Sequence, residues 1–264
     1  MQLTFDGTRF DVLDGGKGSA LVLLHGFPLA KEIWDAQAEA LARTVRVIRF
    51  DLRGLGRSSA APGPYLMESL AGDVADVLDA LGVGRAVVAG HSLGGYVAFA
   101  FYRMFTERCR ALGLICTRAA ADDEPLAAAR LELAARIETE GIAPLSDWYV
   151  PRLLAPDAYR TEPALVARVR GIVERTDPAG GAAMLRGMAA RVSNDDLLDE
   201  IDLPVSVIAG ADDRLGEPAA ARTLAATIRG AEFELLQCGH LPSLEKPEAL
   251  TAALARLIAR AAPA

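Results

Sequence analysis

The feature that most constrains this chain is a repeated alternation between short apolar runs and segments with helical spacing. The run at 20–24 is apolar at every position, which is typical of a strand buried on both faces of a sheet. The segments at 31–43 and 67–81 instead place their apolar residues on one side of a helix. Alternation of this kind predicts an α/β fold with a parallel sheet flanked by helices.

The same pattern continues through most of the chain. Asp6-Gly7 lies between two β-prone runs and predicts an N-terminal hairpin, because both turn residues need a positive φ. Further strands are predicted at 45–50, 86–89, 112–116, 204–209 and 232–236, and further helices at 96–105, 217–228 and 247–261.

Between about 118 and 192 the strand pattern disappears. This stretch is rich in Ala and Arg, and its six prolines divide it into several short helices. We therefore predict a core formed by 1–117 and 193–264, with a helical cap inserted at 118–192. An insertion after the carboxyl end of a strand would cover the crevice where open α/β sheets bind ligands.

Composition excludes several classes of protein. With 52% apolar and 24% charged residues, this chain can bury a large core without disulfides or metals. A net charge of −7, with the basic residues scattered, argues against a nucleic-acid partner. Three cysteines without CxxC spacing, the lack of a membrane-length apolar run and the lack of a signal peptide pattern predict a cytoplasmic protein without a membrane partner.

The sharpest chemical signal is Gly90-His91-Ser92-Leu93-Gly94, a match to the GxSxG pattern. In this pattern the serine occupies a strained turn between a strand and a helix, and side chains two residues away on either side would collide. The flanking sequence agrees, because an apolar strand enters the motif and a helix leaves it. Ser92 is therefore the candidate nucleophile.

A serine nucleophile needs a base and a group that orients the base. Of the three histidines, only His240 follows Ser92 along the chain. It comes after the last strand, at the sheet edge where the carboxyl ends of parallel strands meet. Asp212 and Asp213 both follow the preceding strand, so either could orient the imidazole. These residues predict a triad in the chain order serine, acid, histidine.

Acyl transfer also needs donors for the developing oxyanion. The backbone N–H of Leu93, directly after the nucleophile, is one candidate, and the N–H of Phe27, in the loop after an earlier strand, is the other. Large side chains near this edge or in the cap are candidates for the substrate pocket: His25, Trp34, Trp148, Tyr149, Met184 and Met188.

Five motifs, in this order, resemble those of the α/β-hydrolase superfamily. They are His25-Gly26-Phe27-Pro28, the loop at 51–58, the elbow at 90–95, the loop at 210–213 and Gly239-His240. The resemblance covers the whole chain. It implies a mostly parallel twisted sheet flanked by helices with an inserted helical cap. In that family the acid usually lies three residues after the glycine of its loop, which points to Asp213.

Within the superfamily, the chain looks most like small bacterial esterases and 3-oxoadipate enol-lactonase-like hydrolases. The cap segments 147–154 and 186–191 carry this finer resemblance. It implies that Ser92, assisted by His240 and Asp213, hydrolyses small carboxylic esters or lactones through an acyl-enzyme. The expected partner is a small-molecule ester, and no cofactor or metal is expected.

Two other hypotheses remain open. A C–C bond hydrolase, a thioesterase or a perhydrolase on the same scaffold would keep Ser92, whereas dehalogenases and epoxide hydrolases of this superfamily have an Asp at the elbow. A small-molecule receptor can also retain an intact triad. Since one catalytic core serves many substrates, the motifs do not separate these hypotheses from ester hydrolysis.

Overall fold

The computed structural model describes residues 1–262, and within them one sheet contains eight strands. The strands are β1 (Gln2–Phe5), β2 (Thr8–Gly15), β3 (Ala20–Leu24), β4 (Arg46–Phe50), β5 (Ala86–His91), β6 (Cys109–Ile115), β7 (Val205–Gly210) and β8 (Glu232–Leu236). They lie in the order β1-β2-β4-β3-β5-β6-β7-β8. The strand β2 is antiparallel to both of its neighbours, and all pairs from β4 to β8 are parallel.

Eleven α-helices lie in the same part of the chain. They are α1 (Asp35–Leu41), α2 (Met67–Ala80), α3 (Leu93–Met104), α4 (Glu124–Glu140), α5 (Ala143–Leu153), α6 (Pro156–Thr161), α7 (Pro163–Val173), α8 (Pro178–Ala189), α9 (Pro218–Thr227), α10 (Pro242–Glu245) and α11 (Pro247–Arg260). Short 3₁₀ segments occur at Lys31–Trp34, Thr106–Arg108 and Asp195–Glu200. None of the helices in residues 1–262 has the length and apolar content needed to cross a bilayer.

The predicted strands and helices of the core are confirmed, with ends that shift by a few residues. The hairpin turn has φ values of 46° at Asp6 and 77° at Gly7, as the Asp-Gly signal requires. The helix predicted at 31–43 is wrong in its first turn, because Lys31–Trp34 forms a 3₁₀ segment before α1 begins. These local differences leave the predicted α/β architecture intact.

The strand order places helices on both faces of the sheet. The chain moves from β3 to β4 in one direction through α1, and then back past β3 to β5 through α2. Because βαβ crossovers are right-handed, α1 lies on one face and α2 on the other. The helix α1 packs against α11, and α2 packs against α3. The chain thus reverses direction beside β3 and β5, so the crevice at their carboxyl ends is the expected ligand site.

The centre of the sheet is fully covered. Every residue of β3 and β5 is buried, which explains why these strands are apolar without alternation. Between β6 and β7 the chain forms only helices, α4 to α8, and a 3₁₀ segment, and α4 packs most extensively against α8. The predicted fold, a mostly parallel sheet flanked by helices, is confirmed, and the predicted helical insertion lies between β6 and β7.

Candidate active site

Ser92 forms the entire turn between β5 and α3. The strand ends at His91, the helix begins at Leu93, and Ser92 has a φ of 52°. Such a conformation costs a residue other than glycine roughly 1–3 kcal/mol. The neighbouring strand β6 holds it in place, because the Ser92 N–H donates to the Ile115 carbonyl at 2.8 Å and Thr117 Oγ1 donates to the Ser92 carbonyl at 2.8 Å.

The two glycines of the motif are required by close backbone contacts. A Cβ atom on Gly90 would lie 2.0 Å from the Gly94 carbonyl oxygen. A Cβ atom on Gly94 would lie 2.3 Å from the Leu24 carbonyl oxygen at the end of β3. The spacing of GxSxG therefore allows β5, α3 and β3 to meet beneath the serine, and the half-buried Ser92 stands above them.

His240 and Asp213 meet at the same edge. Nδ1 of His240 donates to Asp213 Oδ2 at 2.7 Å, and the other carboxylate oxygen accepts the N–H groups of Leu215 and Gly216, each at 2.8 Å. Burial opposes ionisation of Asp213, but His240 and these two N–H groups outweigh it and hold the pKa of Asp213 below its usual range. The anionic Asp213 keeps the proton on Nδ1, which leaves Nε2 of His240 free to accept a proton.

The second carboxylate of this loop lies elsewhere. Asp212 is exposed, and its backbone N–H donates to the Cys238 carbonyl at 2.9 Å. Its carboxylate forms no hydrogen bond with any residue in the described part of the chain. The sequence did not decide between Asp212 and Asp213 as the partner of the histidine. In the structure Asp213 contacts His240 and Asp212 does not.

Ser92 and His240 line one small cavity of about 70 Å³ beneath the helical insertion. Within residues 1–262 the serine hydroxyl donates no hydrogen bond to the imidazole. Nucleophile and base often reach hydrogen-bond distance only when a substrate binds. The cavity wall therefore holds a hydroxyl and an imidazole, and the buried carboxylate of Asp213 lies behind the imidazole.

His91 supports the loop of His240 from below. The His91 ring is fully buried, and its Nε2 donates to the His240 carbonyl at 2.6 Å. Burial, with a further contribution from His240, lowers the pKa of His91 to about 3, so the ring is neutral. His91 is not among the residues that line the cavity of Ser92, so its role here is structural.

His25 does not lie in the cavity, so its predicted role in substrate binding is wrong. The ring is fully buried, Nδ1 donates to the Gly26 carbonyl at 2.8 Å, and Nε2 accepts the Leu52 N–H at 2.9 Å. Burial lowers the pKa of His25 and keeps the ring neutral. Both ring nitrogens thus join the loop after β3 to the loop after β4, which is a structural role.

The two candidate oxyanion donors lie close to Ser92, one next to it in the chain and one on the wall of the same cavity. Leu93 is the first residue of α3, where N–H groups have no partner within the helix. Phe27 follows β3 and lines the same cavity as Ser92. Among the described residues, neither of these N–H groups donates to a protein acceptor. Both are therefore available to an oxygen atom that develops negative charge beside Ser92.

The predicted pocket residues divide into two groups. Trp148, Tyr149 and Met188 line the cavity, and the rings of Phe27 and Tyr149 meet edge to face at 5.4 Å. Met184 and Trp34 are not among the lining residues, and both side chains are fully buried elsewhere in the interior. A second cavity of about 190 Å³ adjoins the first and shares part of its wall, namely Leu126, Arg130, Trp148 and Tyr149.

The sequence analysis missed five residues that line the cavity, and two of them are charged, Arg118 and Arg130. Arg118 follows the carboxyl end of β6, which is the edge where all other site residues were sought. Arg130 lies on the inward face of α4, where positions 126, 133, 134 and 137 carry apolar side chains. A charged residue at one of the inward positions of an otherwise apolar helix face was the available signal.

One group of side chains has atoms close enough for a metal ion. Nitrogen or sulfur atoms of His91, Cys116 and His240 lie within 4.8 Å of one another. A thiol must lose its proton to bind a metal ion, and burial raises the pKa of Cys116 well above its usual value. His91 already uses Nε2 for the His240 carbonyl. The donor set therefore fits a packed interior better than a metal site.

Comparisons with known proteins agree with this geometry. A family model described as the alpha/beta hydrolase fold matches residues 19–247. The 3-oxoadipate enol-lactonase 2 of Acinetobacter baylyi is 27% identical over 241 residues, which are 91% of this chain and 89% of that protein.

Two solved structures are similar over nearly their whole length. A thermophilic esterase from Thermogutta terrifontis, solved with malate bound, is 35% identical, with a TM-score of 0.94 over 98% of this chain and 97% of the esterase. The enol-lactonase from Burkholderia xenovorans LB400 is 29% identical, with a TM-score of 0.92 over 98% of this chain and 100% of the lactonase. The chain therefore belongs to the family of hydrolases with the alpha/beta hydrolase fold.

Proposed function

We propose that this protein hydrolyses small carboxylic esters or lactones through a serine-bound acyl intermediate. The observation that carries the proposal is the contact of His240 with the buried Asp213, on the wall of the cavity that also contains the strained Ser92. Esterase and enol-lactonase activities of similar proteins support the same chemistry, because a lactone is a cyclic ester.

In the proposed mechanism Ser92 Oγ attacks the scissile carbonyl carbon while Nε2 of His240 takes the hydroxyl proton. Asp213 stabilises the imidazolium that forms. The N–H groups of Phe27 and Leu93 hold the oxyanion, and the loss of one such donor typically lowers kcat by about 10²–10³-fold. His240 then returns the proton to the leaving alcohol, and a water molecule activated by the same imidazole releases the acid and restores Ser92.

We also propose that residues 118–192 act as the cap of this site. The side chains of Leu126, Arg130, Trp148 and Tyr149 extend from α4 and α5 into the wall of the cavity. A cap that excludes water strengthens the electrostatic interactions of the oxyanion and protects the acyl intermediate from unproductive side reactions.

The direct test compares wild type with Ser92→Ala on p-nitrophenyl acetate and p-nitrophenyl butyrate. We expect the variant to lose at least about 10³-fold in kcat, because it lacks the hydroxyl on which the proposed acyl intermediate forms. Ser69→Ala, which removes an exposed hydroxyl on α2, is the matched control and should retain wild-type turnover. Equal turnover by wild type and Ser92→Ala would refute the proposal.

An active-site probe tests the covalent step separately. A fluorophosphonate should phosphonylate wild type once, with loss of fluoride and the hydroxyl proton, so that the protein gains the mass of the probe less HF, and it should leave Ser92→Ala unmodified. A thioesterase or a C–C hydrolase would also be labelled, so substrate classes are ranked by kcat/KM on matched esters, thioesters and vinylogous diketones. Labelling without turnover of any of these substrates would instead support the receptor hypothesis.

A further inference from the structure

The wall of the catalytic cavity is positively charged. Arg118 and Arg130 both line it, whereas no carboxylate is found among the lining residues in the described part of the chain. The buried Asp213 lies behind His240 and already pairs with that ring. A substrate in this cavity therefore meets two guanidinium groups close to the nucleophile.

The two arginines belong to a cluster around one buried acid, Asp122. The carboxylate of Asp122 is completely buried and accepts hydrogen bonds from Arg118 Nη2 and Arg130 Nε, both at 2.5 Å, and from Arg191 Nη2 at 3.2 Å. Three guanidinium groups thus share a single carboxylate. Since arginine stays protonated in proteins, the cluster keeps a surplus of two positive charges.

Arg191 is not the arginine that meets a ligand. Its side chain is 1% exposed, donates to the carbonyl groups of Ala119 and Ala120, and stacks over the Tyr96 ring at 3.8 Å. It holds Asp122 and the start of the insertion in place. The surplus charge is therefore presented to the cavity by Arg118 and Arg130.

Arg118 and Arg130, the two arginines that line the cavity, have N–H groups that no close acceptor occupies. Arg118 is 34% exposed and uses only Nη2 on Asp122, and its Nε is buried without a partner among the described residues. Arg130 uses Nε on Asp122, while its Nη1 makes only long contacts, at 3.4 Å to the Tyr149 hydroxyl and 3.7 Å to the Met188 sulfur. A planar guanidinium fork with free donors matches the geometry of a carboxylate.

We propose that the substrate of this site is an anionic ester or lactone, with a carboxylate a few bonds from the scissile carbonyl that pairs with Arg118 and Arg130. This inference rests on the proposed function and narrows its substrate class. The small size of the cavity keeps the carboxylate near the carbonyl, because Ser92, His240 and both arginines line the same 70 Å³. Hydrolysis consumes one water and yields an alcohol and a second carboxylate, with release of one proton.

The test uses esters that differ only in charge. Monomethyl succinate carries the carboxylate on the acyl side, and its isomer 3-acetoxypropanoate carries it on the alcohol side. Methyl succinamate and methyl 4-methylpentanoate replace the carboxylate of the first ester by a neutral amide and by an isopropyl group. Turnover is followed by proton release in a pH-stat. We expect kcat/KM for at least one anionic ester to exceed that of the neutral esters by about 10- to 100-fold. A ratio of this size corresponds to the contribution of a hydrogen bond to a charged group.

Variants identify the groups responsible for this preference. Arg118→Gln and Arg130→Gln should each lower the ratio of anionic to neutral kcat/KM by about tenfold or more. Arg160→Gln is the matched control, because this exposed arginine on α6 pairs with Asp157 instead of Asp122 and lines neither of the two adjoining cavities. Its ratio should equal that of wild type. In wild type, added salt should raise KM for the anionic ester and leave KM for the neutral esters unchanged.

The outcomes separate this inference from the proposed function. If Ser92-dependent turnover occurs with equal kcat/KM for anionic and neutral esters, the anionic substrate class is refuted and the serine hydrolase proposal stands. A preference that persists in both arginine variants would also overturn the assignment to Arg118 and Arg130. The wild-type comparison and its salt dependence need no variant, so they decide the question even if a substitution impairs folding.

Discussion

At the scale of single residues, the loop after β7 shows how one backbone position separates two neighbouring carboxylates. Asp213 is 2% exposed and hydrogen-bonded to His240, while Asp212 is exposed. Two turn N–H groups bind Asp213 Oδ1 and direct Oδ2 at the imidazole. Asp212 and Asp213 carry the same carboxyl group, so the difference between them comes from their environments alone.

This difference predicts unequal effects of two matched substitutions. Asp213→Asn should lower kcat for ester hydrolysis by about 10³–10⁴-fold, because an amide neither stabilises the imidazolium nor selects the correct tautomer. Asp212→Asn makes the same chemical change one residue earlier and should stay within about twofold of wild type, as is usual for exposed positions. Both are measured as kcat on the same ester. A larger loss in Asp212→Asn would show that the acid has been assigned to the wrong residue.

At the scale of elements, the short helix α10 connects the loop of His240 to the helical insertion. Its last residue, Glu245, accepts the N–H groups of Gly239 at 3.0 Å and Leu241 at 3.4 Å, on either side of His240. The other carboxylate oxygen accepts the Ala155 N–H at 2.9 Å, between α5 and α6. Glu245 is therefore a positioning residue that fixes the histidine loop against the insertion.

We expect Glu245→Gln to lower kcat by about 10- to 100-fold, because its amide NH₂ would face one of these N–H groups and leave a buried donor unpaired. Ester KM should change less than kcat, since the carboxylate does not line the cavity. Glu248→Gln, an exposed glutamate in the first turn of α11, is the control. If Glu245→Gln lowers the melting temperature but keeps wild-type kcat, the residue only stabilises the fold.

The docking of α8 on the core predicts opposite effects for two helical glycines. A Cβ atom on Gly187 would lie 1.7 Å from the Tyr65 carbonyl oxygen, whereas a Cβ atom on Gly72 in α2 would meet nothing within 4 Å. Gly187→Ala should therefore destabilise the protein by about 1–3 kcal/mol through overpacking. Gly72→Ala should stabilise it by about 0.5–1 kcal/mol, the usual gain in a helix. Urea unfolding measures both, and equal effects would contradict the close docking of α8.

At the scale of the whole molecule, two buried neutral histidines make stability depend on pH. His25 and His91 are both fully buried, and both have pKa values below that of an unfolded histidine. As the pH falls below about 6.5, the unfolded chain takes up protons on these rings while the folded protein does not. Their contribution to the free energy of unfolding is complete above that pH and is lost as the pH falls towards the folded pKa, about 3 for His91.

The pH dependence of the free energy of unfolding that His91 causes can be measured. Between pH 6 and 5, His91 should lower the free energy of unfolding by up to about 1.4 kcal/mol per pH unit. Urea unfolding of wild type and His91→Gln at several pH values isolates this effect, because the other titrating groups are common to both proteins. The variant should be less stable at pH 7.5 and show a shallower pH dependence. Parallel curves would mean that His91 is protonated in the folded state.

Much of this molecule could be predicted from local patterns. Apolar runs, helical spacing and the Asp6-Gly7 turn predicted the strands, five helices of the core and the α/β architecture, because each depends on residues close together in the chain. GxSxG located Ser92 for the same reason, since its steric requirement spans only five positions. Chain order and the common edge of parallel strands then indicated His240 as the base and left Asp212 and Asp213 as alternative acids.

Other features depended on packing between distant segments. The orientation of Asp213 follows from turn N–H groups, and the burial of His25 follows from a hydrogen bond to Leu52, so neither could be predicted from residue type. The charge of the cavity arises because Arg118, Arg130 and Arg191 converge on Asp122 from β6, α4 and the end of α8. Sequence periodicity predicts which side of a helix or strand is buried. Which charged side chains of other elements meet there is decided by long-range packing alone.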